Sequence, residues 1–186
     1  MTTQEAREIY LNSDCSYFIM CTRHYSSYIQ YRRLELTKEQ ENIWRNEKMQ
    51  MLCAEIRKNG DYHIFERLYE IAFEFRDYER LRLLLDALKC IKLPLEPDKS
   101  IRLASIILGR KSQKVRSGMI YWAFDIKQRA IAIILMDLAL ELLNFPDLED
   151  EELVKRICRE RRLCKRIIAE LNLNFSNRYL KHYYDF

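Results

Sequence analysis

Asp137 and Glu141 lie one helical turn apart inside an otherwise apolar run. Two carboxylates held in greasy surroundings can share a proton or hold a cation. The same spacing equally marks the wet edge of a helix, or acids that pair with an arginine. Cys15, Cys21 and His24 are the one group of metal-ligand types close together. They supply a single weak pair, Cys21 with His24, where structural zinc sites favour two pairs with ligands two to four residues apart. Cys158 and Cys164 are six residues apart, which on a helix sets them about 240° around the axis, so they face apart. His24, His63 and His182 stand in polar helical contexts with no nucleophile or base beside them in sequence. These patterns give no catalytic apparatus, and neither a metal nor a cofactor is expected.

Anion recognition has more to work with. The segment from Gly109 to Gly118 holds Arg110, Lys111, Lys114 and Arg116 with no acid, at a glycine-flanked joint between two apolar stretches. A concentrated positive turn next to a helix start can grip phosphate or an acidic protein surface. It can also be a solvated turn that keeps two greasy helices soluble. Its Gly-Arg-Lys-Ser string is no phosphate-binding P-loop, because the glycine spacing, the Gly-Lys pair and a preceding strand are missing. A second series, Arg156, Arg159, Arg162, Lys165 and Arg166, recurs along one helical stretch and could follow a nucleic-acid backbone or form a plain solvated face. Arg161 falls close to the apolar stripe of that stretch and, if buried, needs an acidic partner.

Aromatic and basic residues interleave around Tyr25, Tyr28 and Tyr31, and again in the tail from Phe175 to Phe186. Tyr and Arg are the usual anchors of protein interfaces, and aromatics interleaved with cations also stack on bases. Ordinary core packing uses them too.

All these residues must be positioned by helices. The chain has three Gly and three Pro in 186 residues, well below the usual roughly 7% and 5%, so long helices with short joints follow. Polar caps with Glu or Gln three residues on mark helix starts at Thr2, Thr37 and Asp125, while Asp61, Asp77, Asp98 and Ser176 look like simpler caps. Apolar periodicity places helices over 3–11, 15–34, 38–58, 62–75, 78–91, 99–109, 113–124, 126–144, 149–171 and 177–184. Gly60 stops the third, and Leu93-Pro94-Leu95-Glu96-Pro97 reads as a rigid connector. Helix 126–144 is apolar on nearly every side, so others should surround it. Helix 149–171 opens with acids and closes with bases, an order that suits its dipole.

Residues 59–90 resemble one helical hairpin of the tetratricopeptide-like repeat proteins. The resemblance is carried by the Asn59-Gly60-Asp61-Tyr62 entry, the small Ala72, and Asp77-Tyr78-Glu79-Arg80-Leu81 entering the partner helix. It implies a helical array that offers a groove to a peptide or protein, and it implies no catalysis.

Charge sets the remaining bounds. Lys and Arg total 32 against 28 Asp and Glu, too balanced for a general nucleic-acid coat. The excess is uneven: residues 100–186 hold 16 basic and 11 acidic groups, and residues 1–99 hold 16 and 17. An anion site therefore belongs to the second half. The start MTTQEAREIY has no basic region followed by an apolar run, and the stretch from Ala130 to Leu143 falls short of the about 20 residues a membrane span needs. Six scattered cysteines read as reduced thiols in a cytoplasm.

The sequence thus predicts one all-α domain of about eight to ten helices in consecutive antiparallel hairpins, as a bundle or a short α-solenoid. Its expected work is binding another protein, as an immunity protein or small regulatory adaptor does, through Tyr25, Tyr28, Tyr31, Arg110, Lys111, Lys114 and Arg116. The alternative is a nucleic-acid-binding regulator that uses helix 149–171.

Overall fold

The computed structural model describes residues 2–12, 29, 33–34, 36–109 and 117–173. The described residues form eight α-helices and no strands. By its internal contacts the chain divides into two compact units, residues 1–92 and 93–186.

The first unit contains α1 (Thr3–Asn12), α2 (Lys38–Asn59), α3 (Tyr62–Ala72) and α4 (Tyr78–Leu88). Both sequence-predicted capping boxes here are formed. The Thr2 hydroxyl accepts from the Glu5 amide at 3.2 Å while the Thr2 amide donates to the Glu5 carboxylate at 2.7 Å. Thr37 and Gln40 do the same at the start of α2. Gly60 closes α2 with φ +66°, its amide donating to the Ile56 carbonyl, and Asp61 and Asp77 cap α3 and α4. Helix α2 packs against each of the other three. Its Trp44, Met49, Leu52, Cys53 and Ile56 are buried with Phe65, Leu68 and Ile71 of α3 and Leu81, Leu84 and Leu88 of α4. Each large apolar side chain so buried contributes roughly 1.5–3 kcal/mol.

The periodicity of 62–75 outlasts the helix. After Ala72 the backbone tightens into three-residue turns, with the Phe75 amide donating to the Ala72 carbonyl at 3.1 Å, so α3 ends three residues early. Phe75 is half-buried between guanidinium groups, with Arg80 4.6 Å and Arg45 5.8 Å from its ring centre. The turn is tied to α2 by Arg45 with Glu74 at 3.2 Å, and Arg80 at the start of α4 reaches Asn46 at 2.9 Å. The same tightening ends α4 at Leu88, although Ile91 stays buried as its spacing requires.

The second unit contains α5 (Pro97–Leu108), α6 (Met119–Asp125), α7 (Arg129–Leu142) and α8 (Glu151–Glu170). Helix α7 touches the other three and is the centre of this unit, as its composition predicted. It is less enclosed than expected, for Ile134 is 60% exposed. Met119 to Ala123 are all buried, so α6 is apolar on every side and runs inside the unit.

Three boundaries here differ from the sequence reading. Pro97 begins α5, because a helix's first position needs no amide donor; Asp98 therefore lies in the first turn and Glu96 stands at the cap. Gly118, at φ +106°, lies outside the helix, so α6 begins at Met119 and not at 113. Asp125 ends α6 and does not stand at the start of α7. The chain bends through Lys127 at φ +62°, and α7 starts at Arg129 with no side-chain cap. The expected helices over 15–34 and 177–184, and the cap at Ser176, fall almost wholly outside the described residues.

Gly109 and Gly118 meet across the basic segment. A Cβ on Gly118 would lie 2.6 Å from the Gly109 Cα, and one on Gly109 would overlap the Ser117 carbonyl. Only glycine allows this approach.

Candidate functional site

Of the residues the sequence singled out, Tyr25, Tyr28, Tyr31, Arg110, Lys111, Lys114 and Arg116 lie outside the described residues, as do Cys15, Cys21 and His24. Among the described residues no group of His, Cys, Asp and Glu is placed to hold a metal ion. No helix of these residues is long and apolar enough to cross a membrane.

The basic series on α8 is fully visible, and the helix sorts it. Arg156 is half-buried and leaves the series, because its guanidinium reaches Asp98 of α5 at 2.6 Å and holds that carboxyl below the usual range. Arg161 is also half-buried. Its guanidinium donates to the Leu143 carbonyl at 2.6 Å, at the end of α7 where partial negative charge gathers. What faces water is Lys155, Arg159, Arg162 and Arg166, with Lys165 at the side. The spacing of four, three and four residues draws the first four into one line of about 16 Å.

This line is bounded. Glu151 stands one turn before Lys155, 3.7 Å from its ammonium, and the exposed Glu170 stands one turn after Arg166 and accepts from Tyr121 at 3.2 Å. Exposed Val154 and Cys158 flank it with apolar surface. The opposite face of the helix buries Ile157, Cys164 and Ile167. Cys158 and Cys164 therefore face apart, one exposed and one buried, and burial pushes the Cys164 thiol up to about 12.

Sequence reasoning missed Glu160, which is 4% exposed inside the buried stripe. Its position, three residues after Ile157 and four before Cys164, was the available signal. Lys48 is a second such case. It is 1% exposed, donates to the Tyr10 carbonyl at 2.9 Å and lies 5.3 Å from the Tyr10 ring centre. It sits four residues from both Trp44 and Leu52, on the same buried face.

Asp137 and Glu141 do not form a buried pair. Asp137 is half-buried and Glu141 is exposed, so the two do not share an enclosed apolar pocket. Glu141 instead stands at an open cleft of about 350 Å³ with Leu93, Pro94, Leu95, Ser100, Leu142, Asn144 and Phe145. Ser100 is 2% exposed, and its hydroxyl donates to the Leu95 carbonyl at 3.5 Å. The cleft arises where α7 ends and the chain turns, beside the residues leading into α5.

No protein-family model, curated protein or solved structure matches the chain.

Proposed function

We propose that the chain is a non-catalytic binding module that engages another protein through an acidic patch on that partner. The observation supporting this reading most directly is the line Lys155, Arg159, Arg162 and Arg166 on α8, exposed and closed at both ends by Glu151 and Glu170. Cations in a row attract any polyanion. Carboxylates at both ends repel a continuous phosphate backbone yet tolerate a discrete acidic patch, and exposed Val154 and Cys158 beside the row add the apolar contact that protein interfaces use. The tetratricopeptide-like reading of residues 59–90 points the same way, with α3 and α4 as one wall of a groove. Arg110, Lys111, Lys114 and Arg116, with Tyr25, Tyr28 and Tyr31, are proposed as further contacts. A cytoplasmic immunity protein or small adaptor fits this description, and the free thiols at Cys53, Cys90, Cys158 and Cys164 suit a reducing compartment.

The test is affinity capture of the tagged chain from its own cells, with and without nuclease, beside a variant carrying Arg159→Glu, Arg162→Glu and Arg166→Glu. A stoichiometric protein that survives nuclease and is lost from the variant is the expected result. Equal capture by the variant removes α8 from the interface. Recovery of nucleic acid alone, with an affinity that falls steeply as salt rises, establishes the second reading, a nucleic-acid-binding regulator, in place of the first.

A further inference from the structure

The cleft at the end of α7 is independent of the α8 row, and its lining is chemically one-sided. Its walls are apolar, from Leu95, Leu142 and Phe145, and no Lys, Arg or His lines it. Glu141 is the one charged residue among those that line it, and the Asn144 amide can donate as well as accept. Glu141 brings an exposed carboxylate that no ion pair or side-chain hydrogen bond reaches among the described residues. The Phe145 ring offers a face that attracts cations. At about 350 Å³ the cleft lies in the range of small-molecule sites, roughly 300–1,000 Å³.

We propose that this cleft binds a small organic cation, a primary ammonium on a compact apolar body, with its nitrogen at Glu141 and its body against Leu142 and Phe145. An anion of the same shape meets the Glu141 carboxylate there and is disfavoured. A neutral molecule of that shape keeps the apolar contact and loses the charge.

The experiment is an NMR titration of the full chain with 2-phenylethylammonium, 2-phenylethanol and 3-phenylpropanoate, repeated on Glu141→Gln. Glu141 is exposed, so this variant keeps the fold. The ammonium should give saturable shifts at the amides of Leu142, Asn144 and Phe145, the alcohol should bind about fivefold more weakly, and the carboxylate should give none. Glu141→Gln should bring the ammonium down to the level of the alcohol. Absence of saturable shifts at these amides, or equal affinity of Glu141→Gln and the unaltered chain for the ammonium, overturns the proposal. Neither result bears on capture of a protein by α8.

Discussion

Buried charge is tolerable where its partners are well aimed, and Lys48 shows how. Its ammonium crosses from α2 to the Tyr10 carbonyl near the end of α1, where unpaired carbonyls and the helix dipole both favour a cation. The contact stitches α1 to α2 beside Ala6, Tyr10 and Trp44. Lys48→Ala removes a charged hydrogen bond and leaves a gap, so urea unfolding should show a loss of about 3 kcal/mol. An unchanged midpoint would mean that the Tyr10 carbonyl is satisfied without the lysine. Neither Lys48 nor Glu160 was legible from residue type, because a charged residue on an apolar face reads as a break in the pattern. The Lys48 partner lies 38 residues away and Glu160 meets the neighbouring Arg159 at 3.4 Å, and the apolar spacing encodes neither. The same holds for Arg156: the sequence put it in one basic series with Arg159 and Arg162, and only Asp98, 58 residues away in sequence, takes it out.

At the scale of the helix, legibility follows from whether the signal is local. A capping box is complete within four residues, so Thr2 with Glu5 and Thr37 with Gln40 were readable. The Gly60 stop was readable too, because it needs only a residue that accepts positive φ. Gly60→Ala should destabilise the chain by roughly 1–2 kcal/mol, since a left-handed alanine is strained and its methyl would come within 3.0 Å of the Cys90 carbonyl. A thermal midpoint equal to that of the unaltered chain would show that the turn shifts at no cost. Asp125 with Gln128 had the same spacing as a box and formed none. There the interior position of α6 carries the helix through Asp125, and tertiary packing overrides the local signal. Apolar period likewise overran the ends of α3 and α4, because the side chains of a three-residue turn continue nearly the same face for one more step. The cleft beside Glu141 was out of reach for a different reason: it is made by chain ends meeting around α5 and α7, and no periodicity records where two ends meet.

Across the whole molecule, burial sets a limit on the alkaline side. Tyr10 lies under α2 and its hydroxyl is held above its ordinary value of 10.0, chiefly by burial. Burial likewise raises Cys53 from 9.0 to about 11 and Cys164 from 9.0 to about 12. In each case the folded state keeps a proton that the unfolded chain has already released. Their contribution to stability is therefore intact below pH 9 and is lost as pH climbs from 9 through 11 to 12. Denaturant unfolding measured at pH 8, 9, 10 and 11 should show a progressive fall above pH 9, with a shallower slope in Cys164→Ala. A flat profile would mean that these groups are open to water. The all-α class was readable at this scale from scarce glycine and proline, whereas the division at residues 92 and 93 was not, since connector composition does not say which contacts cross it. The glycine pair that pinches together at 109 and 118 has a practical corollary. Gly109 and Gly118 hold the two ends of the intervening segment together, so the closure cost of a longer insert there rises only slowly with its length. That makes the stretch between the two glycines an interchangeable cassette: a peptide of another length can be written there while α5 and α6 keep their places.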